Sequence, residues 1–235
     1  MNRLERELDV VLHLLDRQVV DADGLMVCKV DDLELLEYDD GTLAVTGLLA
    51  GANAWIPRFG GHLGETLLTH WRRLSPEQAG RELPWRLPLA DVARLGSGVE
   101  LRVARAGCLR RQPDEAPAQG TTRRRMNDFL EATVVHTDGR VLGHVLDVRA
   151  RPEPGVRTRL PFTGLVVGRG RPGALLGYDR RGDMGPWLVN RLVRWAHRHS
   201  GYLPWQDVVA VDWDDRRITT AAELADLKPA ALTAR

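Results

Sequence analysis

Apolar and polar positions recur along this chain in an order that is written twice. Val19-Val20, a polar turn at Asp21-Ala22-Asp23-Gly24, then Val27 and Val30 leading to Asp32-Leu33, returns as Val134-Val135, His136-Thr137-Asp138-Gly139, then Leu142 and Val145 leading to Asp147-Val148. The offset is 115 residues, and six of the fifteen aligned positions are identical, where composition alone gives roughly one. β-branched residues on both sides of an Asp-Gly pair predict a hairpin, because glycine accepts the positive φ that a tight turn needs. Further on, Thr46-Gly47-Leu48 matches Thr163-Gly164-Leu165 inside apolar runs that read as central strands, with Gly47 at a bulge or bend. Length differences at turns absorb the change of offset to 117.

Other segments carry a helical period. Leu4, Leu8, Val11 and Leu15 share one face of a predicted short helix over residues 2 to about 15. Leu63, Leu67, Leu68 and Trp71 do so in the first copy, and Leu188, Leu192 and Trp195 in the second. Leu83-Pro84-Trp85 then pairs with Leu203-Pro204-Trp205, and Val99 to Ala104 pairs with Val208 to Trp213 as closing strands. The tail from Ala221 has helical character at Ala222 to Leu227. Polar, Pro-containing residues 113–127 read as a linker, which divides the chain into a first domain with its N-terminal helix (1–112), a second domain (128–220) and a tail (221–235).

Composition excludes more than it selects. The chain has 235 residues and a formal net charge of +1, so the molecule as a whole does not draw nucleic acid or anionic lipid to itself. Lys29 and Lys228 are the only lysines, leaving arginine to carry almost all the positive charge. Cys28 and Cys108 show no disulfide or CxxC spacing, which points to a reducing, cytoplasmic setting. No stretch reaches the ~18 continuous apolar residues of a membrane span, and the first residues do not read as a signal peptide, so direct membrane insertion is not expected.

The ordered set of features resembles the PRC-barrel family over two copies, at about residues 14 to 105 and 129 to 220: a first strand, an Asp-Gly turn, an apolar strand ending in aspartate, a Thr-Gly-Leu strand and a late Leu-Pro-Trp. The resemblance implies a mainly β protein of two SH3-like barrels in tandem, each with an inserted or appended helix, that acts as a non-enzymatic adaptor for a protein partner. It also implies two alternatives, a ribosome- or RNA-associated maturation factor and a soluble accessory of a membrane transporter or complex. Two such barrels could pack as a pseudo-dimer. A glycine common in the family is Gly143 in the second copy and Cys28 in the first.

Candidate chemistry is sparse. Gly168 to Gly173 fits GxGxxG, but Pro172 and the absence of an acidic residue about twenty positions on speak against a dinucleotide site, so no cofactor is expected. No metal site is expected either: His197 and His199 diverge on a helix, and His136 with His144 meet only across a regular hairpin. Asp23 and Asp138 read as turn residues, Asp32 and Asp147 as backbone caps at strand ends. Partner contact is assigned to the basic, Gly-rich loop with Arg169, Arg171, Arg180 and Arg181, to Arg123, Arg124 and Arg125 beside the linker, and to Trp187. Trp71, Trp85, Trp195 and Trp205 read as core; Trp55, Trp187 and Trp213 are the candidates for an exposed hot spot.

Overall fold

The computed structural model describes residues 6–55, 83–111, 118–168 and 200–227. The described chain is mainly β, as expected. It separates into two compact units: the described residues up to Asn127 with Ala150–Pro161, and Asp128–Arg149 with those from Phe162 onward.

In the first unit, β1 (Leu8–Asp9) and α1 (Val10–Leu14) precede β2 (Gln18–Val20), β3 (Met26–Lys29), β4 (Asp32–Tyr38) and β5 (Leu43–Ala50). After α2 (Ala52–Trp55) come β6 (Trp85–Pro88), β7 (Val92–Leu95), β8 (Val99–Leu101), β9 (Arg110–Arg111) and β10 (Thr121–Arg125). One sheet runs β10-β4-β5-β6-β9; the other runs β3-β2-β8-β7, with β2 and β8 parallel. All eight residues of β5 are buried, because it lies between β4 and β6 and has no polar face to offer solvent. Within residues 6–15 of the predicted N-terminal helix only α1 is helical. Leu8, Val10, Val11 and Leu14 are all buried, so the segment is enclosed on most sides rather than docked by one stripe, and Asp9 is extended.

In the second unit α3 (Met126–Phe129) leads to β11 (Thr133–His136), β12 (Val141–Ala150), β13 (Leu160–Gly168), β14 (Ser200–Pro204), β15 (Val208–Asp212), β16 (Arg217–Thr220) and β17 (Ala225–Asp226). The strand order is β14-β13-β12-β11-β16-β15, with β17 on the free side of β14. Phe129, Phe162, Trp205 and Trp213 form an aromatic cluster with ring centroids 5.4–6.1 Å apart. Among the described residues neither unit closes into a barrel.

The two units follow one strand plan. Each has a hairpin with a bulge at the same place, between Val19 and Val20 and between Val134 and Val135. Each runs its first strand parallel to its last, β2 to β8 and β11 to β16. Each turns into a short 3-10 segment after a proline, at Leu89–Asp91 after Pro88 (φ −59, ψ 139) and at Trp205–Asp207 after Pro204 (φ −57, ψ 140).

That last equivalence corrects the repeat read from the sequence. Pro88 lies opposite Gly47 as Pro204 lies opposite Gly164, so Leu203-Pro204 corresponds to Leu87-Pro88 and the repeated Leu-Pro-Trp tripeptide is out of register. Trp205 therefore stands where Leu89 stands, and Trp85 stands at Gly201. The closing strands shift in the same way: β15 answers β7 and β16 answers β8. Residues 118–127 depart from a linker, since β10 pairs antiparallel with β4 from Thr121 opposite Tyr38 to Arg125 opposite Glu34. The tail departs from a helix, since Ala225 and Asp226 pair with Tyr202 and Gly201. The helices expected around Leu63 to Trp71 and Leu188 to Trp195, and residues 113–117, lie outside the described residues.

Candidate functional site

The repeated aspartates hold backbone. Asp32 Oδ1 accepts the N–H groups of Leu33 (2.8 Å) and Asn127 (3.2 Å); Asp147 Oδ1 accepts that of Val148 (2.7 Å). Asp21 does more. Its carboxylate accepts N–H groups from Asp23, Leu25 and, across the unit, Arg105. Burial works against its charge, but these donors outweigh burial and hold the carboxyl below its ordinary range. In the second copy His136 takes this position: its Nδ1 accepts the Asp138 N–H at 3.2 Å and its Nε2 lies 3.2 Å from the Ala221 carbonyl oxygen. Among the described residues no group of His, Cys, Asp and Glu is arranged to hold a metal. The Cys28 thiol is pushed up to about 12 by burial, then by Asp31 and Cys108, which leaves it little thiolate at neutral pH.

The three linker-side arginines lie on β10, and two carboxylates of β4, Glu34 and Glu37, answer two of them. Arg124 Nε sits 2.9 Å from Glu37 Oε2, and Arg123 Nε sits 3.2 Å from Glu34 Oε2 without aiming its N–H along a hydrogen bond. Arg125 donates to the Asn53 carbonyl oxygen at 3.0 Å. Glu34 is 2% exposed, and its other oxygen, Oε1, accepts from Thr46 Oγ1 (2.9 Å) and Arg86 Nε (2.7 Å). A carboxylate this deep needs such partners. Arg123 and Arg124 thus bind carboxylates of the neighbouring strand, and Arg125 binds the backbone of α2. Arg169, Arg171, Arg180, Arg181 and Trp187 lie outside the described residues.

The Thr-Gly-Leu strand has a shared structural reason. In the first unit Arg86 crosses Gly47 and reaches the Thr46 carbonyl oxygen at 3.4 Å; in the second Tyr202 crosses Gly164 and donates its hydroxyl to the Thr163 carbonyl oxygen at 2.9 Å. A Cβ on Gly164 would lie 2.4 Å from the Tyr202 ring, so only glycine fits beneath it. Where Glu34 pairs with Arg86 in the first copy, Arg149 lies over the Tyr202 ring at 5.0 Å in the second.

Three features remain open to a ligand or partner. The first is a cleft of about 310 Å³ within the first unit, between Leu89, Val92 and Ala93 on one side and residues 152–160 on the other. The second is the edge strand β15. Val209 is 62% exposed and Ala210 is exposed, and the row Val141, Val135, Thr219, Ala210 crosses the sheet to Val141, 64% exposed. The third is Trp85, 39% exposed, with the Arg111 guanidinium 4.8 Å above its ring and Arg110 exposed beside it.

Of the tryptophans whose side chains are described, Trp85, expected in the core, is 39% exposed, Trp205 packs against Phe129 and Phe162, and Trp213, expected as a hot spot, packs 5.4 Å from Phe129. The sequence signal for β10 was present in Thr121-Thr122 and in the charges of Glu34 and Glu37 on the strand it joins. Nothing in Val209 or Val141 marked them as exposed, because valine in an alternating strand ordinarily faces a core. Set beside known proteins, the chain matches no protein-family model and no curated protein.

Proposed function

We propose that this protein is a non-enzymatic adaptor built from two PRC-type, SH3-like units, and that it binds an extended segment of a protein partner along β15. The observation that carries this reading is the edge strand itself. Among the described residues β15 pairs with β16 on one side, ends the strand order of its unit, and presents Val209 and Ala210 to solvent. An edge with unpaired backbone groups and apolar side chains templates an added strand: main-chain hydrogen bonds give affinity, and alternate side chains give specificity. The repeated strand plan supports the family part of the reading, since the Asp-Gly hairpin and the Thr-Gly-Leu strand, two of the features the resemblance rests on, occupy equivalent places in both units, whereas the Leu-Pro-Trp tripeptide does not.

The test is affinity purification with quantitative mass spectrometry on the wild type and Val209→Asp, each with and without ribonuclease. The reading expects a partner that is retained after ribonuclease and lost in Val209→Asp. A partner set unchanged by the substitution would contradict it.

An RNA- or ribosome-associated role is the second reading, and Trp85 with Arg110 and Arg111 favours it. An exposed ring flanked by guanidinium groups is a stacking platform for a base. Arg123 and Arg124 do not add to it, because Glu34 and Glu37 neutralise them. RNA binding that falls steeply with salt and is lost in Trp85→Ala would support this reading.

A further inference from the structure

The connection that leads into the Thr-Gly-Leu strand differs between the copies. In the first copy it is a tight turn at Asp39 to Thr42, closed by the Tyr38 N–H on the Thr42 carbonyl oxygen and the Gly41 N–H on the Tyr38 carbonyl oxygen. In the second copy nine residues, 151–159, lie between β12 and β13. They form one wall of the cleft in the first unit.

This wall is preformed. Pro152 and Pro154 fix φ, Gly155 turns at φ +78, and the Val156 N–H bonds the Glu153 carbonyl oxygen at 3.0 Å. The Arg151 N–H on the Pro161 carbonyl oxygen (3.1 Å) closes the base. Arg159 is committed: its Nε and Nη2 donate to the two oxygens of Glu153 at 2.9 and 3.3 Å, and its guanidinium lies 5.5 Å over the Tyr38 ring. The opposite side is apolar, with Leu89 and Val92 buried and Leu160 buried beneath the loop. Arg157, also lining the cleft, is exposed and has no ion-pair partner among the described residues.

We propose that this cleft binds a small organic acid with an apolar body, its body against Leu89, Val92, Val156 and Leu160 and its carboxylate on Arg157. A volume of about 310 Å³ stands at the low end of small-molecule sites, which run from ~300 to ~1,000 Å³, so it suits a compact acid rather than a length of peptide. A rigid wall lowers the ordering cost of binding, and a guanidinium at the mouth gives orientation through a charge-assisted hydrogen bond. Nothing in this proposal depends on partner binding at β15.

The test is a two-dimensional amide NMR titration of the full chain with sodium octanoate, with 1-octanol and inorganic phosphate as comparison probes. Saturable shifts are expected with octanoate and confined to Leu89–Ala93 and Val156–Leu160. Arg157→Ala, on an exposed side chain, should weaken octanoate about tenfold and leave octanol unchanged. Ala93→Trp should block both, with the remaining amide spectrum showing that the fold persists. Absence of saturable shifts at these residues, equal octanoate affinity in Arg157→Ala, or saturable binding of phosphate alone would overturn the proposal.

Discussion

Glu34 shows most clearly what single residues contribute here. Its carboxylate is almost wholly buried between Arg86 and Arg123, so removing it leaves two cations facing one another with no compensating charge. Glu34→Ala should therefore cost about 3–5 kcal/mol in urea unfolding, while Glu37→Ala, whose pair with Arg124 is far more exposed, should cost under ~1 kcal/mol. Equal losses would contradict this assignment. Gly164 makes a second case. An added Cβ would strike the Tyr202 ring at 2.4 Å, so Gly164→Ala should cost about 1–3 kcal/mol, and much of that cost should vanish in a Tyr202→Ala background. Gly47→Ala meets the flexible Arg86 side chain at 3.1 Å and should cost less. At Asp138 the Arg140 backbone N–H, then the Arg140 side chain, lower the carboxyl from 3.8 to about 2. The folded state thus holds this proton less tightly than the unfolded chain. Its contribution is present above pH 3.8 and is lost as pH falls through about 2. A carboxyl-detected NMR titration should show Arg140→Ala raising the Asp138 value only part way to 3.8, because the backbone donor remains; a full return would assign the effect to the side chain alone.

At the scale of elements, the sequence carries hairpins well and registers poorly. The Asp-Gly turns, the bulge beside Gly47, and β5 as a central strand follow from local chemistry: positive φ at the turn glycines, β-branched flanks and an uninterrupted apolar run. The correspondence of Leu83-Pro84-Trp85 with Leu203-Pro204-Trp205 failed because three shared letters say nothing about which strand they face. Cross-strand partners decide that, and Gly47 opposite Pro88 matches Gly164 opposite Pro204. β10 and β17 were missed for a related reason, since each is a strand only because of the strand it joins. Of the candidate site, the repeated turns of the plan were legible as structure, whereas the cleft and the exposed edge arise from pairings distant in sequence. β15 yields a prediction of its own. Val209 is on an exposed edge, so Val209→Lys should change stability by no more than about 0.5 kcal/mol while abolishing strand addition. A large stability loss in thermal unfolding would mean that the side chain is covered in solution.

At the scale of the whole molecule, one strand plan is built twice, and the polar stretch before the division at Asn127 and Asp128 belongs to the first unit. The polar stretch after Gln112 looks like a boundary, yet Thr121–Arg125 forms the outer strand of the first unit's sheet and places three arginines against its own carboxylates and backbone. Residues 150–161 likewise belong to the first unit although the repeat assigns them to the second. A charged, proline-flanked segment satisfies the composition of a linker and the pairing of a strand at once, and only the long-range partner separates the two. Native-state amide hydrogen exchange on the full chain, read at 121–125, tests this most directly. These amides are expected to be protected, and Arg123→Glu, which sets a like charge beside Glu34, is expected to release them together with β4. Exchange of 121–125 at the rate of an unstructured chain in the wild type would contradict it.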